Sequence, residues 1–444
     1  MAKLNLPFSV DLPRHAGSRP RIHPGECAAY SIAGRIPKVA FSPRTADEAA
    51  KVIDALRQEG ASISVRGAGT KQWRPPAPRS IDAVLDMSRC RGILEHTPAD
   101  LTVTVAAGTP FADLQSALRA HGQFFPCDPV FAAEATIGGV LASRSGGALR
   151  QRYGALRDNV LGMRVCLSDG STAFTGAKVV KSVAGYDIAK LFVGAFGTLG
   201  VIAEATLKIS PLPAREALIV AEFNRAEAAC DAALQIAVSP LFPLAATLHD
   251  ARSLRRVRAL GATDGLRWSL LVRCGGTHAA VQRQLDGVRA ICGAGEALSM
   301  ISLDADRVPH AWGDVSELAG GALYPAADYL CLKIGALPSQ TPAVIQELAI
   351  AFEQPEITAH PTAGLTYAHI PAAETASGLA SLESFLQKCA ASDWNAEYLS
   401  APPALQEVLL QPVPSGAPLR LMRRIKAAFD PTGTFDAGRF LAAI

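Results

Sequence analysis

Residues 62–79 read SISVRGAGTKQWRPPAPR, and the meaning of this stretch decides the fold. A β-rich run, Ser62 to Val65, feeds into Gly67-Ala68-Gly69-Thr70, a glycine-rich turn of the kind that holds phosphate. A Rossmann dinucleotide fingerprint needs a third glycine and a loop that opens straight into a helix. Gln72 stands in the place of that glycine, and Pro75, Pro76 and Pro78 follow, which a crossover helix does not tolerate. A Walker A loop is excluded too, because G-x-x-x-x-G-K-[ST] is absent here. Two readings remain: a plain surface turn between strands, or a nest of main-chain amides that binds an anion. In the nest, Gly67 and Gly69 permit close backbone approach and the Thr70 hydroxyl adds a donor.

Two later clusters shift the balance toward the nest. Residues 135–143 read ATIGGVLAS, followed by Ser145-Gly146-Gly147, and residues 194–202 read GAFGTLGVI. Two Gly-Gly pairs separated by small residues leave a backbone almost bare of side chains. Such a surface admits a flat ring or a diphosphate against main-chain N–H groups; tight packing of helices is the bland alternative. Three glycine-rich turns in one region are hard to assign to packing alone.

Bulk properties exclude several classes. The 444 residues suffice for two or three domains, and 49% hydrophobic against 19% charged residues describes a folded globular protein. A formal net charge of +3, with no basic run interleaved with aromatics, argues against nucleic acid as a partner. Nine cysteines are scattered singly, without a C-x-x-C pair, which argues against an iron–sulfur cluster or structural zinc within this chain. The expectation is reduced cytoplasmic thiols buried in the core. The N-terminal stretch lacks the apolar segment of a signal peptide, and no apolar run reaches spanning length. A soluble protein follows, with peripheral docking at the inner membrane left open.

Along the chain, residues 1–34 read as an irregular arm. From Pro37 the pattern is strand, turn, helix, strand, with Thr45 as N-cap and Glu48 completing a capping box. Thr109 is expected to cap a helix with Pro110 in its first turn and Gly122 ending it. Asp169-Gly170 marks a hairpin, and the prolines at 211 and 213 close the first domain. The predicted organisation is a domain at 35–213, a strand–helix domain at 214–415, and a C-terminal segment at 416–444 made of a basic amphipathic helix and a turn.

The three clusters, in this order, resemble the FAD-binding domain of the PCMH/vanillyl-alcohol-oxidase flavoprotein superfamily. Supporting stretches are VLDMSRCRGILEHTPADLTVTVAAGTPFADLQ, FFPCDP and RYGALRDNVLGMRV. Residues 181–187, KSVAGYD, running on into KLFVGAFGTLGVIAEATLKI, and the terminal RIKAAFDPTGTFDAGR look like the FAD-binding subunits of bacterial glycolate oxidase. The resemblance implies an α+β fold: a two-lobed FAD-binding domain, then an α/β cap domain, with the C-terminal segment returning to the FAD domain. It also implies that Arg66, Gly67, Ala68, Gly69, Thr70, Lys71 and Gln72 hold the FAD pyrophosphate. Asp128, Pro129, Thr136, Ile137, Gly138, Gly139 and Ser143 would line the flavin and its ribityl chain. Gly147, Arg152, Tyr153, Gly154, Gly197, Gly200, Val201 and Ile202 would complete the pocket.

The chain departs from the family pattern at Ser182, where Asn is usual, and at Asp436-Ala437, where Asn-Pro is usual. No histidine lies in the first cluster or beside Arg152-Tyr153-Gly154, so the resemblance implies noncovalent FAD. Related D-2-hydroxyacid dehydrogenases carry H-x-G-D-G-N-x-H in the cap. The nearest match here is His360-Pro-Thr-Ala-Gly-Leu-Thr-Tyr367, which keeps the first histidine only. No histidine pair has metal-ligand spacing, so no metal site is expected. Catalytic residues are not identified; Lys181, Tyr186 and His360 are the candidates, each with a structural role as its alternative.

Two functions from different classes follow. The first is an FAD-binding subunit of a glycolate or D-2-hydroxyacid oxidising complex, with a homologous flavoprotein subunit doing the substrate chemistry and an iron–sulfur subunit exporting electrons. The second is a stand-alone flavin oxidoreductase of the D-lactate dehydrogenase type. A non-catalytic FAD-binding scaffold is the third reading.

Overall fold

Thr45 turns the chain into its first long helix. Its hydroxyl accepts a hydrogen bond from the Glu48 amide at 3.2 Å, and Ala49, Val52, Ile53 and Leu56 form the buried stripe of helix Ala46–Gln58. The Glu48 carboxylate reaches past Thr45 and takes the Arg44 amide at 2.8 Å, so the expected capping box is offset by one residue. The computed structural model describes residues 27–176, 187–260, 267–414, 416–436 and 439–440. In it the helix joins β1 (Val39–Phe41) to β2 (Ile63–Arg66). β3 (Ala83–Asp86) lies between them and parallel to both, giving the first lobe the strand order β1-β3-β2.

The second lobe is antiparallel. Its strands are β4 (Ile93–Thr97), β5 (Thr102–Ala106), β6 (Gln123–Phe124), β7 (Val160–Cys166), β8 (Thr172–Gly176), β9 (Val201–Lys208) and β10 (Ser210–Pro211). Five form a sheet of order β4-β5-β9-β7-β8, while β6 pairs with β10. The turn between β7 and β8 is local chemistry: the Asp169 carboxylate accepts from the Ser171 amide and hydroxyl, and Gly170 has φ +79°. The helix Phe111–Arg119 starts one residue later than Thr109 predicts, with Pro110 at its N-cap. Thr109 Oγ1 is occupied elsewhere, accepting from the Gly92 amide at 2.9 Å and donating to the Gly92 carbonyl at 3.3 Å. Gly122, with φ +66°, lies in the turn beyond the helix rather than at its end.

The cap is one eight-stranded antiparallel sheet. It comprises β11 (Arg215–Phe223), β12 (Ala245–Asp250), β13 (Trp268–Gly276), β14 (Ser299–Leu303), β15 (Tyr329–Gly335), β16 (Glu356–His360), β17 (Leu365–Pro371) and β18 (Asn395–Ser400). The strand order is β14-β11-β13-β12-β16-β17-β15-β18. Helices Ala226–Val238, His278–Ala294, Thr341–Ala351 and Leu379–Ala391 bury their apolar stripes against one face, in a core with Leu332, Ile334, Ala368 and Ile370. Because strand side chains alternate, Lys333, Tyr367 and His369 project from the opposite face. That face packs Leu218, Val220 and Leu271 against Trp312, Val315 and Ala148, the last belonging to the first half of the chain.

The C-terminal segment closes the first lobe. After helix Ala417–Phe429, Asp430 accepts from the Thr434 and Phe435 amides and from Lys426 Nζ. Phe435 then bridges in parallel to Ile63 at the free edge of β2, with Ile63 N donating to Thr434 O and Asp436 N donating to Ile63 O. Along helix Ala417–Phe429, Arg420, Arg423 and Arg424 are exposed, while Lys426 turns inward, its Nζ donating to the Thr198 and Phe435 carbonyls as well as to Asp430. All nine cysteines are buried free thiols, and among the described residues no helix is long and apolar enough to cross a membrane.

Candidate functional site

The loop leaving β2 meets the second glycine cluster at van der Waals distance. A Cβ on Gly67 would sit 2.1 Å from Thr136 Oγ1, so only glycine lets the two segments touch. Thr136 Oγ1 accepts from the Gly139 amide at 3.3 Å and caps the short helix Ile137–Ala142. The third cluster arrives at Val65, where a Cβ on Gly197 (φ +77°) would lie 3.2 Å from the valine Cβ. The result is a cleft lined by Arg66 to Gln72, Thr136, Gly138, Gly139, Ser143, Gly197, Gly200 and Ile202. Met87, Ala107, Phe192, Phe196, Asp436 and Arg439 also line it, and sequence reasoning did not single these out as site residues.

Other expected residues lie off the cleft for identifiable reasons. Val201 precedes Ile202 on β9 and faces the opposite way, into the first-lobe core. Ile137 is buried in the second-lobe core. Asp128 is enclosed: its Oδ1 accepts from the Leu149 amide and its Oδ2 from the Trp312 indole, each at 3.0 Å. These two bonds fasten the cap helix Val308–Glu317 to the first half of the chain, and burial pushes the Asp128 carboxyl up to about 6. Pro129 beside it is buried as well. Arg152 is exposed, with its guanidinium 5.5 Å from the centroid of the Phe242 ring. Tyr153 packs edge-on against Phe124, and Gly154 ends a short helix. Lys181 and Tyr186 lie outside the described residues.

The floor of the cleft carries two buried groups of opposite charge. Asp436 Oδ2 accepts from Ser64 Oγ at 3.2 Å and from the Val65 amide at 3.3 Å, while Oδ1 has no partner. Arg439 Nη2 donates to the Gln72 carbonyl at 2.8 Å and to Gln72 Oε1 at 3.0 Å, while Nη1 has no partner. Burial raises the Asp436 carboxyl to about 6 against the pull of Arg439, and burial lowers Arg439 against the pull of Asp436. A glycine floor with unsatisfied polar atoms beside it fits a flat, oxygen-rich group such as a dinucleotide.

A second cavity continues from the first, sharing Gly69, Thr70, Lys71, Ser143 and Phe196 with it. Gly147, Phe131 and Trp73 line it on one side; Tyr324, Lys333, Tyr367 and Leu399 line it from the cap. Lys71 lies at the junction, with Nζ 3.5 Å from both Thr70 Oγ1 and the Val130 carbonyl. Burial draws its ammonium down to about 8, opposed by Glu317. Lys333 Nζ lies 3.4 Å from Glu397 Oε2, and Glu397 also meets Arg74 and Arg144 at 3.4 Å each. Burial raises the Glu397 carboxyl, but these three cations outweigh it and hold it below the ordinary glutamate value. One carboxylate against three cations leaves this wall positive.

His360 lines neither cavity. It is buried beside Tyr367, with ring centroids 5.3 Å apart, and burial, reinforced by Arg150 and Lys333, draws it down to about 3. His249 is bonded to Thr247 and Thr358, and His369 stacks on Tyr324 at 3.5 Å while Nε2 meets the Leu318 carbonyl at 2.8 Å. Burial disfavours the charged form of all three rings.

Residues 37–176 match the FAD binding domain family, and residues 212–371 match the family of FAD linked oxidases, C-terminal domain. Glycolate oxidase subunit GlcD of Bacillus subtilis is 31% identical over 65% of this chain and 62% of its own length. Glycolate oxidase subunit GlcE of Escherichia coli is 36% identical over 37% of this chain and 47% of its own. The mitochondrial D-lactate dehydrogenase [cytochrome] of Arabidopsis thaliana is 32% identical over 59% and 46%. The chain thus spans less than two thirds of the length of each of these relatives. Among solved structures, alkyldihydroxyacetonephosphate synthase superposes with a TM-score of 0.67 at 17% identity, over 90% of this chain and 77% of that one, which shows a shared fold.

Proposed function

We propose, for a chain that carries an FAD binding domain followed by the C-terminal domain of FAD-linked oxidases, that it holds FAD noncovalently in the cleft of residues 66–72 and acts as an FAD-dependent oxidoreductase on a small 2-hydroxyacid. The observation that carries this reading is the continuity of the two cavities through Gly69, Thr70 and Lys71, with cationic Lys71 and Lys333 on the walls of the second. FAD bound in the first cavity supplies a hydride acceptor. The main-chain amides of the 66–72 loop would hold its diphosphate, Lys71 and Lys333 the substrate carboxylate, and Phe131, Trp73 and Leu399 would keep water from the reacting carbon.

The finer proposal is that this chain is one FAD-binding subunit of a multi-subunit complex. Two of its relatives are named as glycolate oxidase subunits, and His360 stands outside both cavities. A homologous flavoprotein subunit would oxidise the acid, and an iron–sulfur subunit would carry electrons away, at the cytoplasmic face of the inner membrane. The stand-alone alternative is favoured by one observation: the second cavity is built within a single chain.

Anaerobic addition of glycolate or D-lactate to the FAD-loaded chain separates the two. Bleaching of the flavin absorbance by the chain alone supports the stand-alone enzyme and overturns the accessory role. Bleaching only after the partner subunits are added supports the complex. A protein that takes up no FAD overturns both.

A further inference from the structure

Asp436 and Arg439 are each 4% exposed, yet each leaves one charged-group atom without a hydrogen bond. Native structures rarely tolerate this, because a buried polar atom without a partner forfeits its hydration. The two orphans are complementary: Asp436 Oδ1 is an acceptor and Arg439 Nη1 a donor. Both side chains line the same cleft. Asp436 Oδ2 holds Ser64 and Val65, and Arg439 Nη2 holds Gln72, all on the strand and loop that form the cleft. The protein therefore fixes both groups in place and completes neither.

We propose that Asp436 and Arg439 are cofactor-binding residues, completed by the bound dinucleotide. Arg439 Nη1 gives its hydrogen bond to a diphosphate oxygen, because its sister atom Nη2 is already anchored on the loop assigned to the diphosphate. Asp436 Oδ1 takes a hydroxyl donor from the sugar chain next to it. The inference rests on the reading that FAD occupies this cleft. It goes beyond that reading in making the C-terminal segment, rather than the glycine loops alone, responsible for holding the cofactor. Burial, which raises the Asp436 carboxyl to about 6, is in line with a group whose second oxygen awaits a partner.

The test is FAD affinity of the purified full chain, measured by isothermal titration and flavin fluorescence quenching, with the circular dichroism and urea midpoint of each FAD-free variant as a control of folding. Loss of a hydrogen bond to a charged group predicts about ten-fold or greater weakening for D436A and for R439Q. D436N, which keeps the shape and can bond a hydroxyl either way, stays within about three-fold of the parent, and R439K falls between. Parent protein that binds FAD while folded D436A and R439Q bind it within about two-fold overturns the inference and leaves the cofactor reading intact. Parent protein that binds no FAD overturns both. Should D436A or R439Q unfold, the conservative pair decides: unchanged affinity in R439K overturns the role of Arg439, and weakening beyond about ten-fold in D436N overturns the hydroxyl assignment.

Discussion

The main-chain carbonyl of Arg439 accepts a hydrogen bond from Arg74 Nη1 at 2.8 Å. Arg74 is 3% exposed, lies 4.0 Å over the Phe196 ring, and meets Glu397 of the last cap strand through Nη2 at 3.4 Å. A single guanidinium thus joins the C-terminal segment, the third glycine cluster and the cap. Replacing Arg74 by Met leaves Glu397 with Lys333 and Arg144 as partners, so the expected loss is at the low end for a buried ion, about 3 kcal/mol. A fall in urea midpoint with an unchanged slope is the expected reading.

The Gly67–Thr136 contact predicts coupling between two substitutions. G67A places a Cβ 2.1 Å from Thr136 Oγ1 and is expected to cost about 1–3 kcal/mol. T136A removes a helix cap and costs about 1 kcal/mol. The double variant G67A/T136A, in which the clashing hydroxyl is gone, is expected to lose less than the sum. Chemical unfolding of the four proteins checks this; strict additivity would contradict the contact.

Asp436 predicts a pH-dependent difference in the FAD-free protein. Its folded carboxyl is raised to about 6 from an ordinary 3.8, so the unfolded chain releases the proton first. The stability contributed by the protonated group is complete below the unfolded value and is lost as pH rises through about 6. D436N lacks this titration. Its advantage over the parent is expected to grow between pH 4 and pH 6, by about 2 kcal/mol, and to level off above. Urea unfolding across that range reads it directly.

Lys71 predicts a limb on the alkaline side. Its ammonium is drawn down to about 8 by burial, so its charge is present below that pH and lost above it. Binding of oxalate, an anionic mimic of a 2-hydroxyacid, to the FAD-loaded chain is expected to weaken as pH passes 8. K71R should retain binding to higher pH, and K71Q should bind about ten-fold more weakly below pH 8, with the gap to the parent closing above it. Perturbation of the flavin spectrum provides the titration.

Features set by neighbouring residues were legible in the sequence. The Thr45 cap and the Asp169-Gly170 turn each depend on partners within a few positions, and the glycine clusters announce backbone that must come close to something. The rest depends on partners far away. Asp128 Oδ2 belongs to Trp312, 184 residues on, and nothing near it in sequence says that a cap helix will claim that oxygen. Lys333 and Tyr367 face the second cavity because their neighbours Leu332 and Ala368 face the helices, an alternation that becomes informative only once the sheet's two sides are known. Asp436 stood out as a departure from a family pattern, but its bond with Ser64 spans 372 residues.

The bond between Arg439 and the Gln72 carbonyl crosses 367 residues of sequence. During synthesis the glycine loops emerge early and the residues that close the cleft emerge near the end of these 444 positions. A nascent chain therefore has no finished seat for a dinucleotide until residues 436–439 have followed the glycine loops out of the ribosome. If Asp436 and Arg439 complete the cofactor site, loading waits for them, and a chain truncated before residue 436 is expected to accumulate colourless, however well its glycine loops are formed.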